Sequence, residues 1–156
     1  MEIIDYALAI IKQFYEYNPA HLDEADAEHL LLLNMQDARA DASDLVSDAS
    51  WRDLPGAPLR HAALISLAQS MGTLAFCKCE VCKLILNRAK PAAVKRAWLS
   101  MPAQFPEFER DIPARRLAEA NLYLGEMEWY LDPERHPKSI KNLSMNDLLS
   151  GKLPSK

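Results

Sequence analysis

The sequence predicts an all-α fold: a single-domain helical bundle of about five main helices, with a short helical turn near the C-terminal end. Apolar residues recur every three or four positions over long stretches, which is the period of an amphipathic helix. The ten prolines fall almost entirely between those stretches and act as stops between helices. No stretch alternates apolar and polar residues long enough to predict a strand, and the sequence contains no internal repeat.

The clearest helix covers residues 29–51, and the other helices are expected to pack around it. Its apolar face is formed at spacings of three and four by Leu31, Met35, Ala38, Ala42, Leu45 and Ala49. Leu32 and Leu33 widen the apolar surface at the N-terminal end, where burial on most sides is expected. An Asn18-Pro19 pair followed by acidic residues predicts that this helix begins near Pro19.

Four further helices follow from apolar spacing and from proline stops. They cover residues 2–17, 58–89, 91–101 and 111–131. Gly72 lies inside the second of these ranges, where it costs about 1 kcal/mol relative to alanine and marks close packing or a kink. The segment after the 91–101 helix is predicted to be irregular, with Phe105 and Phe108 packed at the edge of the core.

The chain is expected to form one domain over residues 1–156, a length that allows a substantial core. Residues 53–58 are the best candidate for a subdivision, and residues 132–143 are expected to be loose. Ser144 and Asp147 resemble a capping box that begins the final helical turn.

The same composition predicts a soluble, cytoplasmic protein that is not associated with a membrane. No apolar run approaches the 18 residues that indicate a transmembrane helix. The N-terminal stretch carries acidic residues where a signal peptide carries basic ones. Three cysteines are an odd number, which argues against a disulfide framework.

The charge is unevenly distributed along the chain. Residues 1–56 contain twelve acidic and three basic side chains, whereas residues 57–156 contain ten acidic and fifteen basic ones. Two interpretations remain open. The two halves dock on each other, or the protein presents surfaces of opposite sign to different partners.

An acidic face, formed by Asp37, Asp41, Asp44 and Asp48, runs along the 29–51 helix, rotated by about one residue from its apolar face. Like charges at this spacing destabilise a helix by roughly 0.2–0.5 kcal/mol per pair, so something is needed to offset them. Three interpretations of the acidic face remain open. It is a solvated flank, or a recognition surface that contacts a basic protein or imitates nucleic-acid phosphates. The third is a divalent-metal site of the kind that suits Mg²⁺.

A basic bend surrounds Pro91 and consists of Lys83, Arg88, Lys90, Lys95 and Arg96. Such a bend between two helices could hold phosphates, although Trp98 is the one aromatic residue nearby. A second basic group contains Arg110, Arg115 and Arg116. The alternative is that both groups neutralise the acidic first half of the chain.

Three cysteines form a C-x-C-x-x-C cluster at Cys77, Cys79 and Cys82. On a continuous helix Cys77 and Cys79 point about 200° apart, so the three thiolates could not converge on one zinc ion. A structural role is therefore expected, and a metal site would require the helix to break near Phe76.

Carboxylates of the last main helix offer one route to a metal-dependent enzyme. Glu119 and Glu126 share a stripe on this helix, and a metal centre would form if Glu126 faced Asp41 and Asp44. All-helical nucleotide pyrophosphohydrolases use such an arrangement, but their paired E-x-x-E and E-x-x-D motifs are not matched here. No Ser-His-Asp motif and no glycine-rich phosphate loop is present.

The leading functional hypothesis is a protein that binds another macromolecule through the acidic face, as an adaptor, an assembly factor or an inhibitor of a nucleic-acid-handling machine. Acidic helical inhibitors made by phages and mobile elements have this charge layout. A protein partner is expected, a homo-oligomer is compatible with the sequence, and no catalytic residue, metal or cofactor is predicted. The alternatives are nucleic-acid binding through the basic bend and a metal-dependent all-α hydrolase that uses clustered carboxylates.

Overall fold

The computed structural model of the protein describes residues 3–15, 24–54 and 56–125. These ranges contain seven α-helices and a short 3₁₀ turn at Pro106–Phe108, and no strand. The all-α prediction is therefore confirmed. In chain order the helices are α1 (Ile3–Phe14), α2 (Glu24–Asp48), α3 (Ala57–Met71), α4 (Thr73–Cys77), α5 (Glu80–Leu86), α6 (Pro91–Leu99) and α7 (Ile112–Leu124).

Helix α3 lies at the centre of the described fold, and α1, α2 and α7 all pack against it. Its residues Ala62–Ala68 are all buried, so nearly two full turns contact neighbours on every side. A helix that is apolar around its whole circumference is typical of such a position. The expectation that the other helices cover residues 29–51 is wrong, because α2 packs against α3 along one face only.

The predicted apolar face of α2 is confirmed. All six of its residues, from Leu31 to Ala49, are buried. The N-terminal end is not covered on most sides, since Leu32 and Leu33 are 40% and 44% exposed. The other side of α2 is therefore free to carry polar residues, and the acidic face lies there.

The long helix predicted over residues 58–89 is wrong, because it is interrupted twice. The first break is at Gly72, whose backbone has φ 83° and ψ 157°. This conformation is essentially restricted to glycine. The side chain of Gln104 lies where a Cβ atom on residue 72 would be, and the Gln104 backbone N–H donates to the Ser70 carbonyl at 2.8 Å.

The second break separates α4 from α5 without a glycine or a proline. Lys78 forms a turn, and Cys79 is extended with φ −74° and ψ 157° before α5 begins at Glu80. Phe76, just before the break, is 1% exposed and anchors α4 to the core. The break changes the relative positions of the three cysteines, which a continuous helix would have fixed.

A buried charge cluster joins α7 to the segment before it, and it consists of Arg115, Arg116 and Glu119 on α7 with Glu109. The side chains of Arg115, Arg116 and Glu119 are 0% exposed and that of Glu109 is 1% exposed. Arg115 pairs with Glu109 at 2.7 Å and with Glu119 at 3.2 Å, and Arg116 pairs with Glu119 at 2.8 Å. Arg115 and Arg116 of the second basic group are therefore paired with Glu109 and Glu119 and not with the acidic first half of the chain.

Polar groups from α3 and from the 100–109 connection complete the buried charge cluster. Ser66 donates a hydrogen bond to Glu119, and Arg116 donates to Ser70 at 2.6 Å and to the Pro102 carbonyl at 2.9 Å. The two guanidinium groups thus tie α7 to α3 and to the chain that leads into it.

The C-terminal end of α7 is capped by Gly125, whose φ is 66°. The remainder of the predicted 111–131 helix, the 132–143 segment and the final helical turn lie outside the described residues, and so do residues 16–23. No helix in the described ranges is both long enough and apolar enough to cross a membrane.

Candidate binding surface

The acidic face lies on α2 beside the buried apolar face, and α4 also packs against this helix. Asp37, Asp44 and Asp48 are exposed and Asp41 is half-buried. None of the four carboxylates forms an ion pair with any other residue in the described part of the chain. The basic second half of the chain therefore does not neutralise this face through its described residues.

Asp41 differs from the other three aspartates of the acidic face. Its Oδ2 atom is buried and has no hydrogen-bond partner among the described residues. A carboxylate oxygen that is removed from water without a donor costs free energy.

An apolar groove of about 720 Å³ adjoins the N-terminal end of the acidic face. One wall is α2, which contributes Asn34, Asp37 and Ala38. Residues 102–105, Phe108, the break around Gly72 and the start of α4 also line the groove. Among the described residues that line the groove, Asp37 is the one that carries a charge, so it belongs to both surfaces.

Large apolar side chains are exposed in this groove. Leu74 is 76% exposed, Phe105 is 46% exposed and Phe108 is 37% exposed. The ring centroids of Phe105 and Phe108 are 5.9 Å apart, and those of Tyr15 and Phe108 are 6.2 Å apart. Phe105 and Phe108 therefore line an open groove, and the expectation that they pack at the core edge is wrong in this respect.

The basic bend lies at the connection between α5 and α6. Lys83, Arg88, Lys90 and Arg96 are exposed, whereas Lys95 is half-buried. Arg88 adopts a left-handed backbone with φ 57°, which a non-glycine residue rarely does. The five residues belong to α5, to α6 and to the turn between them, and their role stays a prediction.

The helix break before α5 brings two of the three cysteines together. The Sγ atoms of Cys79 and Cys82 are 3.5 Å apart, while Cys77 is exposed. Burial raises the pKa of the Cys77 thiol, and the negative charges of Asp41 and Asp44 raise it further. Cys77 therefore lies within electrostatic reach of the acidic face.

No group of three His, Cys, Asp or Glu side chains among the described residues is placed to hold a metal ion. Glu119, a candidate carboxylate, is bound by Arg115 and Arg116 in the buried charge cluster. Glu126, the proposed partner of Asp41 and Asp44, lies outside the described residues. The described part of the chain thus gives no support to a carboxylate metal centre.

One polar pair was not anticipated from the sequence. The Ser43 hydroxyl lies 3.2 Å from His61 Nε2, across the interface of α2 and α3. Burial lowers the pKa of His61, and the positive charge of Arg39 lowers it further. The two residues are 18 positions apart, so no local motif indicates their contact.

Comparisons with protein-family models, with curated proteins and with solved structures give no match to this chain.

Proposed function

We propose that this protein acts by binding another protein, as an adaptor, an assembly factor or an inhibitor, through the acidic face of α2 and the adjoining groove. One observation carries the proposal: four carboxylates stand in a row on one helix, and no described side chain of the protein pairs with them. Within the described residues, the fold therefore does not use the charge of these carboxylates.

The energetics of the row favour an external partner. Each like-charged pair at this spacing destabilises α2 by roughly 0.2–0.5 kcal/mol, and the buried Oδ2 atom of Asp41 lacks a donor. Lysine or arginine side chains of a partner would offset the repulsion along the row, because they supply positive charge. From Asp37 to Asp48 the row spans about 16 Å along the helix axis.

The groove adds the apolar part of a protein interface. Protein interfaces combine an apolar centre with a polar rim, and peptide grooves commonly accept one apolar face of an amphipathic segment. Here Leu74, Phe105 and Phe108 are exposed in the groove, and Asp37 joins the groove to the acidic face. The partner that fits is a basic amphipathic segment, with apolar side chains in the groove and basic side chains along α2.

The experiment is an affinity capture from the lysate of the native host, with and without nuclease, eluted in steps of increasing salt. A discrete protein that survives nuclease and elutes with salt is the expected result. Two variants sharpen it. The wild type is compared with Asp37→Asn, Asp44→Asn and Asp48→Asn combined, and with a matched control that removes three other exposed acids, Asp53→Asn, Glu80→Gln and Glu107→Gln.

Nucleic-acid binding through the basic bend is the second candidate, and the exposure of Lys83, Arg88, Lys90 and Arg96 around one turn favours it. It predicts that nucleic acid alone is captured and that modest salt releases it. Neutralising Lys90 and Arg96 to glutamine would then abolish capture, whereas neutralising Arg39 and Lys78, which are exposed elsewhere, would not. That outcome would contradict the acidic-face proposal.

A further inference from the structure

The turn between α4 and α5 places two thiols in contact. Cys79 and Cys82 are 7% and 5% exposed, and their Sγ atoms are 3.5 Å apart. A disulfide bond is about 2.05 Å long, so a side-chain rotation that closes roughly 1.5 Å would join the two sulfurs. Cys77, two residues earlier, is exposed on α4 and forms no such contact.

The hydrogen bonds around the pair distinguish the two thiols. Cys82 donates to the Phe76 carbonyl at 3.1 Å. Because a thiol carries a single proton, Cys82 can donate either to this carbonyl or to the Cys79 sulfur. When Cys79 ionises, the second arrangement places the Cys82 proton on the new negative charge.

This contact gives the two thiols different acidities. The hydrogen bond from Cys82 lowers the pKa of Cys79 to about 7. Backbone N–H groups at Val81 and Cys82 also lower this pKa, whereas burial raises it. The hydrogen bond with Cys79 raises the pKa of Cys82, and burial raises it further. At neutral pH about half of Cys79 is therefore the thiolate, which is the reactive form of cysteine, and Cys82 keeps its proton.

We infer that Cys79 and Cys82 form a reversible dithiol–disulfide site that small peroxides such as hydrogen peroxide oxidise. The inference does not depend on the acidic face being a binding surface. The low exposure of both sulfurs favours a small oxidant over a bulky disulfide such as oxidised glutathione.

The reaction balances in two steps. The Cys79 thiolate attacks one peroxide oxygen, so that an S–O bond forms while the O–O bond breaks, and the departing hydroxide takes up a proton to become water. The Cys82 sulfur then attacks the Cys79 sulfur. The S–S bond forms, the S–O bond breaks, and the second water leaves with the Cys82 proton. The cysteine pair loses two electrons and the peroxide gains them, and a dithiol reductant such as dithiothreitol reverses the change.

The positions of the lysines allow a direct test on the full chain. Trypsin cleaves after Lys78 and Lys83, which releases Cys79 and Cys82 together in the pentapeptide CEVCK, while Cys77 stays in the preceding peptide, residues 61–78. The protein is treated with hydrogen peroxide, alkylated and digested. The expected product is CEVCK lighter by two hydrogens and not alkylated, beside a 61–78 peptide that carries an alkylated Cys77, and dithiothreitol should restore two alkylatable thiols in CEVCK.

Three variants separate the roles of the cysteines. Cys77→Ser should oxidise like the wild type. Cys82→Ser should stop at a Cys79 sulfenic acid, which dimedone traps, and Cys79→Ser should leave Cys82 reduced under the same peroxide dose. The inference is overturned if CEVCK is found cross-linked to the 61–78 peptide, or if all three thiols of the folded wild type remain alkylatable after a dose that oxidises free cysteine.

Discussion

The protein holds two concentrations of charge, and they are built in opposite ways. In the buried charge cluster, two arginines and two glutamates pair with one another at 0–1% side-chain exposure. On the acidic face, four carboxylates of one sign stand in or near solvent, with no ion pair to a described residue. Charges that a fold needs are paired within it, so a row that is left unpaired is a candidate for contact with something else.

The largest effect should come from removing one member of the buried charge cluster. Glu119→Gln keeps the shape of the side chain but removes the negative charge that pairs with Arg115 and Arg116. Both arginine side chains are 0% exposed. Breaking a buried pair in this way costs about 3–5 kcal/mol. Urea unfolding followed by circular dichroism measures it, and Asp37→Asn on the acidic face is the control. A loss below about 1 kcal/mol, the level of a surface pair, would contradict the role of the cluster.

The turn at Gly72 lies between the buried charge cluster and the groove, since Ser70 contacts the cluster and Leu74 lines the groove. Gly72→Ala should destabilise the fold by about 1–3 kcal/mol, because an alanine is strained at φ 83° and ψ 157°. Gly125→Ala provides a comparison, because φ 66° and ψ 23° lie in the ordinary left-handed region and cost less. Equal losses in thermal unfolding would show that the backbone at Gly72 relaxes.

Neutralising the acidic face should stabilise the protein, in contrast to the two substitutions above. Combining Asp37→Asn, Asp44→Asn and Asp48→Asn removes every like-charged pair along the face and should raise the free energy of unfolding by about 1 kcal/mol. The matched control, Asp53→Asn with Glu80→Gln and Glu107→Gln, should leave it nearly unchanged. A loss of stability in the first triple variant would mean that these carboxylates are used within the fold.

The smallest effect concerns pH. Burial lowers the pKa of His61 below its ordinary value of 6.5, so the unfolded chain binds a proton more readily than the folded one. This contribution to stability is fully present above 6.5 and is lost as the pH falls below that value. His61→Gln should reduce the difference in unfolding free energy between neutral pH and about one unit below 6.5. An unchanged difference would show that His61 does not contribute to it.

The pattern of apolar residues was sufficient to predict the fold class and the buried face of α2, because periodicity reports burial directly. It could not predict the break before α5. No glycine or proline marks that break, which depends on how Phe76 packs in three dimensions. The contact between Cys79 and Cys82 could not be predicted for the same reason, since it depends on the extended backbone at residue 79.

The burial of Arg115 and Arg116 was also missed, because arginine is almost never fully buried unless it is paired. A signal was nevertheless present in α3. Ser66 and Ser70 are four residues apart in an otherwise apolar stretch, and both hydroxyls contact the arginines or their glutamate partners. Two polar residues on one face of a buried helix predict a polar neighbour, although not which helix supplies it.

The most direct test of the central claim is a binding titration of the captured partner against three proteins. These are the wild type, the triple variant of the acidic face and the matched triple control. Because a rim charge contributes up to about 1 kcal/mol, the acidic-face variant should bind about ten- to hundred-fold more weakly, and the control should bind like the wild type. Equal affinity for all three proteins would show that the acidic face is a solvated flank and that the partner binds elsewhere.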